Sequence, residues 1–439
     1  MFVGEYSPLS QKLESMDVLK IIGGTPLRGE VTIPGSKNAA LAILSAVILA
    51  KGKSTLLNVP KVRDIQIKLK LIEKFGAIVE WQGDALTIDA TNLEMNEVGE
   101  ELVRPIRTSF YLLGSLLARL KSATLPAPGG CKIGDRPVDY HLKGLTLMGA
   151  KVVLEAGSFR ASAPQLKGAE IYFDFPSAGA TQHLMATACL AEGKTVIQNA
   201  AIEPEILTLA SFLKRMGAKI EGEGTSTITI IGVEELQGCE FRVPEDRIQA
   251  ATYLLAGAFE GGDVTAKGIL PEEQNALVNK LREAGAQVEE GNDWVRVYAA
   301  SRLQGLRLKT MPYPGFPTDI QQPMATVLAL ASGSSSIEET IYESRTGHIS
   351  ELNLMGANIR HAGRTSNIEG VKQLQGTLVE ASDLRAGAAL VLAGLVAKGE
   401  TIIKNVHFID RGYEALEERI TSLGGNIRRM TVEEWEATH

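Results

Sequence analysis

The chain has 439 residues, with 45 Lys+Arg against 52 Asp+Glu, a net charge of −7 and 44% hydrophobic residues. At about 150 residues per domain, this length predicts two to three domains, and the balance of apolar and charged residues excludes a disordered or fibrous chain. An acidic surface repels polyphosphate, so a nucleic-acid partner is excluded unless basic residues converge on one cleft.

The first segment, MFVGEYSPLSQKLESMD, carries Glu5, Glu14 and Asp17 and no apolar stretch, so it does not read as a signal peptide. The longest apolar runs, Ala39–Ala50 and Ala386–Ala397, have 12 residues each, short of the roughly 18–20 that cross a bilayer. A cytoplasmic protein with no membrane contact is expected. Three cysteines, Cys131, Cys189 and Cys239, form neither a disulfide framework nor a metal-ligand spacing.

Further along, one short phrase (apolar, Gly, small, any, β-branched) returns six times: FGAIV at Phe75, MGAKV at Met148, MGAKI at Met216, AGAQV at Ala284, MGANI at Met355 and LGGNI at Leu423. Its glycines, at 76, 149, 217, 285, 356 and 424, stand 68 to 73 residues apart. That regularity predicts six tandem units. In each, an amphipathic helix such as Ile206–Met216 stops at a glycine able to turn left-handed, and a strand follows. Each unit also holds a second helix, apolar almost all round and therefore buried, beginning at an N-cap residue type: Ser36, Thr108, Ser177, Asp246, Thr318–Asp319 and Asp383. An α/β fold of repeated helix and strand units is predicted.

Equivalent elements of repeats fall in equivalent places, so these six helix starts should lie at comparable ends of the molecule. They carry unpaired N–H groups and positive dipole ends, and Lys37, Arg107 and Arg385 add full charges there. A cation in a first helical turn opposes the dipole and costs a few tenths of a kcal/mol unless an anion is near. An anionic small molecule is the expected ligand. The stretch Leu125–Asp139, LPAPGGCKIGDRPVD, reads as a loop that places Cys131 beside Lys132 and Arg136, cations that lower a thiol pKa. Cys189, in the apolar ATACLAEG, reads as inert core. The six histidines show no metal spacing, and the GxGxxG, GxxxxGK[ST] and GxSxG motifs are absent; neither metal nor cofactor is expected.

Six motifs carry a resemblance: PGSKNAAL (Pro34–Leu41), PGGCKIGDRPVDYH (Pro128–His141), EPE (Glu203–Glu205), FPTDIQ (Phe316–Gln321), SDLRAGAALVLAG (Ser382–Gly394) and IDRGYE (Ile409–Glu414). In these the chain, from about Leu19 to Arg429, resembles the enolpyruvyl transferases, and among them the branch that acts on UDP-N-acetylglucosamine. The resemblance implies two similar domains forming an inside-out α/β barrel, three units each, with helices inside and sheets outside. It places one domain at residues 37–244 and the other at 1–36 plus 245–439. The implied partners are phosphoenolpyruvate and UDP-N-acetylglucosamine; oligomeric state stays open.

Carried over residue by residue, the resemblance gives Lys37, Arg136 and Arg411 to the phosphate, and Arg107, Arg345 and Arg385 to the rest of the anion site. It makes Asp319 the base toward the sugar 3-hydroxyl, Asp383 an assisting group and Cys131 the general acid of a closing loop. Asn38 and Ile341 touch the sugar, and Arg136, Pro137, Val138, Asp139, Ser177, Ala178 and Gly179 hold the uridine diphosphate end. Tyr111 stands where some members have Trp, Phe175 where some have Lys, and Ser344 where an Asn is usual. The branch that acts on shikimate 3-phosphate lacks the cysteine loop, and a non-catalytic sugar-nucleotide sensor has no need of acid and base together.

Overall fold

The computed structural model describes residues 17–129 and 138–437. All six repeat glycines take left-handed φ, 89° at Gly76 and Gly149, 107° at Gly217, 99° at Gly285, 94° at Gly356 and 90° at Gly424. They follow the helices Arg63–Lys74, Asp139–Leu147, Pro204–Arg215, Asn275–Glu283, Gly347–Leu354 and Leu416–Ser422. Any side chain there would strain the backbone, which is why the phrase keeps its glycine.

The second set of helices forms the interior: Lys37–Ala46, Leu112–Leu120, Ala178–Ala188, Arg247–Gly257, Thr318–Ala329 and Leu384–Val396. Every residue of Arg247–Gly257 is buried, as an all-round apolar sequence requires. Ser36, Ser177, Asp246 and Asp383 cap their helices through the side chain. Two expected caps differ. Thr108 lies inside a 3-10 turn, Arg107–Tyr111, and its carbonyl accepts from the Lys68 ammonium at 2.7 Å. At Thr318 the capping position is Pro317, with no side-chain bond to the backbone, because Thr318 and Asp319 are drawn to charged partners that bind them more strongly than backbone N–H groups do.

Five four-stranded sheets share one pattern, a strand parallel to its neighbour followed by two antiparallel pairings. One sheet, Ser122–Pro126 with Ser158–Ser162 and Lys151–Glu155, has three strands. Two edge strands are exchanged. Arg28–Thr32 precedes the first interior helix yet pairs with Asp263–Lys267, while Glu240–Arg242 precedes the fourth and pairs with Lys53–Leu57. The chain passes over at two points held together by hydrogen bonds, Ser36 N–H to the Pro244 carbonyl (2.7 Å) and Asp246 N–H to the Pro34 carbonyl (2.8 Å). Asp17–Ile22 lies mid-sheet between Glu400–Lys404 and Asn426–Thr431. Two large hydrophobic cores result, one drawn from Ala39 to Val243, the other from Leu19–Ile33 with Ile248–Ile427. Among the described residues, no helix is long and apolar enough to cross a membrane.

Candidate active site

Lys37 opens the first interior helix, and Ser36 caps it by accepting from Ala39 N–H at 3.3 Å. The Lys37 ammonium donates to Asp64 at 3.2 Å, and Arg411 grips the same carboxylate at 2.8 and 3.3 Å. Asp64 is 1% exposed. Lys37 and Asp64 lie in the stretch that builds the first core, Arg411 in that of the second, so one buried carboxylate joins cations from both. Burial pushes the Lys37 ammonium below its ordinary pKa, Asp64 opposes this, and Arg385 and Arg411 push it further down. Gly412 makes room for the arrangement, since a Cβ there would sit 2.7 Å from Leu384 and 3.4 Å from the Lys37 side chain.

A second carboxylate organises the facing side. Asp319 accepts from Arg345 at 2.8 Å and from Arg385 at 3.2 Å, both guanidiniums being buried. Burial alone would raise the Asp319 pKa, but Arg345 and Arg385 beside it, with Lys37 beyond, hold the carboxyl well below the usual carboxylate range. The other Arg385 nitrogen donates to Tyr413 at 3.2 Å, whose hydroxyl bonds Thr252 at 2.8 Å. The Nε atoms of Arg345 and Arg385 have no hydrogen-bond partner among the described residues. Asp383 is a helix cap, its Oδ1 accepting from Arg385 N–H (2.9 Å) and Ala386 N–H (3.0 Å), its Oδ2 from Gln322 (3.2 Å) and Ser382 (3.3 Å). These contacts bring together Lys37, Asp319, Arg345, Arg385, Arg411 and Asp383.

A second group forms around Tyr111, whose ring stacks on His183 at 5.9 Å and tilts against His141 at 5.7 Å. Gly179 admits the Tyr111 hydroxyl, which would lie 2.6 Å from a Cβ at that position. Val138 and Asp139 begin the helix carrying His141, and Ser177, Ala178 and Gly179 begin the helix carrying His183, with Ser177 accepting from Ala180 N–H at 3.2 Å. The His183 Nε2 accepts from Gly114 N–H at 2.9 Å, so its Nδ1 carries the proton donated to His141 Nδ1 at 2.9 Å. Asn38 and Arg107 are partly buried, each in the first turn of its helix. Ile341 donates its N–H to Glu339 at 2.8 Å. Cys131, Lys132, Arg136 and Pro137 lie outside the described residues. Among the described residues, no cluster of His, Cys, Asp and Glu is placed to hold a metal ion.

Sequence reasoning missed Asp64, Glu339, Tyr413 and the histidine pair. An acid in a first helical turn reads as dipole compensation, which hides Asp64; only its place between the PGSK and IDRG motifs in space distinguishes it.

Four cations gathered around the carboxylates of Asp64 and Asp319, in a fold of six helix and sheet units, fit the class of enolpyruvyl transferases. The family model for EPSP synthase (3-phosphoshikimate 1-carboxyvinyltransferase) matches residues 21–420. Among solved structures, the enolpyruvyl transferase NikO from Streptomyces tendae superposes with a TM-score of 0.85 at 27% identity, covering 95% of this chain and 99% of its own. EPSP synthase from Acinetobacter baumannii shares the fold, with a TM-score of 0.74 at 20% identity over 95% of this chain and 100% of its own. Proteins named UDP-N-acetylglucosamine 1-carboxyvinyltransferase are more similar still: that of Clostridium botulinum is 47% identical over 417 residues, 94% of this chain and 100% of its own. That of Halothermothrix orenii is 47% identical over 410 residues, 93% and 99% of the two chains. The chain belongs to the UDP-N-acetylglucosamine 1-carboxyvinyltransferase family.

Proposed function

We infer that this chain transfers the enolpyruvyl group of phosphoenolpyruvate to the 3-hydroxyl of UDP-N-acetylglucosamine, releasing phosphate, the first committed step of peptidoglycan precursor synthesis. The observation that carries it is the convergence of Lys37, Arg345, Arg385 and Arg411 on the buried carboxylate of Asp64 and the partly exposed one of Asp319. Phosphoenolpyruvate offers two anionic groups to such a set, and guanidinium forks suit both. The acceptor sugar follows from the names of the relatives.

In this reading the sugar hydroxyl attacks C2 of phosphoenolpyruvate, C3 takes a proton, and phosphate then leaves the tetrahedral intermediate. Lys37, Arg136 and Arg411 take the phosphate, and Arg107, Arg345 and Arg385 the remaining anionic charge. Asp319, clamped by two arginines, is a poor base as it stands. When substrate anion takes over those guanidinium N–H groups, the lowering cause weakens and the burial cause remains, so the carboxylate gains basicity at the moment it faces the hydroxyl. Asp383 keeps Arg385 at its helix start. Cys131 supplies the acid from its loop, Asn38 and Ile341 meet the sugar, and Tyr111, Arg136 to Asp139 and Ser177 to Gly179 take the uridine diphosphate end. Residues 37–244 form one domain and 1–36 with 245–439 the other, a division supported by the two cores and the exchanged edge strands. The reaction belongs in the cytoplasm and requires no cofactor.

Phosphate release with phosphoenolpyruvate should depend on UDP-N-acetylglucosamine and be absent with shikimate 3-phosphate; the reverse preference would overturn the assignment. A phosphonate epoxide such as fosfomycin should add one equivalent at Cys131, faster with the sugar nucleotide present. Burial pushes the Cys189 thiol up to about 12 and raises that of Cys239, so peptide mapping should find both unlabelled. Label on either would refute the role given to Cys131.

A further inference from the structure

Glu339 is 4% exposed, and every group that bonds its carboxylate is a donor. Its Oε1 accepts from the Thr310 hydroxyl (2.8 Å), Ile341 N–H (2.8 Å) and Tyr342 N–H (3.1 Å), and its Oε2 from the Thr318 hydroxyl (2.9 Å). The direction of both hydroxyls is fixed. Thr318 accepts from Arg345 at 2.9 Å, and Arg only donates, so the Thr318 proton turns to Glu339. Thr310 accepts from Thr340 N–H at 2.9 Å, and its proton turns to the acceptor-only carboxylate at 2.8 Å in preference to the Glu338 carbonyl at 3.5 Å.

We propose that Glu339 is a positioning residue of the transferase site: it fixes the turn carrying Ile341 and, through Thr318, aims the Arg345 guanidinium at Asp319. This rests on the transferase reading above. The same Arg345 nitrogen that donates to Thr318 reaches Asp319 at 2.8 Å, so an error in Thr318 passes directly to the Arg345–Asp319 pair. A carboxylate is required because an amide at 339 must turn its NH2 toward one of these donors, and the Thr318 side, with one donor against three, is the side that yields.

Glu339→Gln and Thr318→Val should each lower kcat/KM for phosphoenolpyruvate about tenfold, the scale of one misplaced hydrogen bond to a charged group. The double variant should lose no more than the larger single loss, because both break one chain of contacts. Thr318→Ser, which keeps the hydroxyl, should stay within about twofold of wild type. Glu339→Gln should also raise KM for UDP-N-acetylglucosamine, which Thr318→Val should leave unchanged. Losses that multiply, Thr318→Ser as impaired as Thr318→Val, or a Glu339→Gln enzyme that melts earlier but turns over normally would each overturn the proposal. If Glu339→Gln does not fold, the Val and Ser pair at 318 still decides. Amide hydrogen exchange needs no substrate: Ile341 and Tyr342 should exchange faster in Glu339→Ala, and unchanged exchange would refute the positioning role. Absence of wild-type turnover would refute the transferase reading alone.

Discussion

Asp319 neutralises two buried guanidiniums, and in the proposed reaction the same charge would also accept a proton. Read from sequence it was either a cap or a base. The structure removes the first alternative, and it changes what substitution should do. Asp319→Asn leaves Arg345 and Arg385 facing an uncharged group, so a drop of roughly 2–3 kcal/mol in stability is expected along with a rate loss of about 10²–10⁴-fold; a wild-type melting temperature would contradict the ion-pair account. His183 gives a second test at this scale. Burial holds its pKa down to about 3, with Lys68 adding repulsion, so the folded state binds fewer protons than the unfolded state from near pH 6.5 downward. This contribution to stability is present above pH 6.5 and is lost as pH falls toward 3. In a denaturant titration, His183→Gln should lose less stability than wild type between pH 6.5 and pH 4; an equal loss would remove His183 from the account. Lys37 and Arg385 were legible because cations at helix starts break a local rule, whereas Arg411, at the end of the turn Val406–Arg411, was legible only through the family resemblance. Asp64 and Glu339 obey local rules, an acid in a first turn and an acid just past the end of a strand, and only their three-dimensional partners reveal them.

The helix starts meet most tightly at Asp246. Its Oδ1 caps its own helix through Ile248 N–H (2.9 Å) and Gln249 N–H (3.0 Å), while its Oδ2 accepts from Lys37 N–H at 3.1 Å. One side chain thus caps helices that serve different cores. Asp246→Ala should cost about 1 kcal/mol for each helix end it leaves bare and should lower turnover by shifting Lys37; Asp246→Ala with full activity would separate the cap from the site. At this scale the interior helices and the left-handed glycines were readable, since periodicity and backbone sterics act within a few residues. The exchanged edge strands were not readable from local pattern, because Arg28–Thr32 and Glu240–Arg242 choose partners more than 180 positions away, and only the family resemblance placed a crossing there.

Across the whole molecule, the ends of the two cores are joined by a buried pair. Arg247 grips Glu205 at 3.0 and 3.1 Å, beneath the ring of Tyr313. Glu273 lies close by, and burial together with repulsion from Glu205 raises its pKa to about 7. The folded state therefore holds its proton up to about pH 7 while the unfolded chain releases it near the ordinary 4.5. Stability from this group falls as pH rises through that window. Glu273→Gln should melt higher than wild type at pH 8 and alike at pH 4.5; the same difference at both values would place the pH response elsewhere.

The mid-sheet position of Asp17–Ile22 also governs how the chain is made. On a ribosome, residues 17–22 emerge long before their neighbours Glu400–Lys404 and Asn426–Thr431. At about 5–20 residues per second, the nascent strand waits roughly 20–80 s with both edges open. The first core likewise lacks its edge strand until Glu240–Arg242 has been synthesised. A chain ended before residue 426 would keep the N-terminal strand open along one side, a template for pairing with other chains. Such truncated chains should aggregate during synthesis, whereas chains ended at 431 should fold.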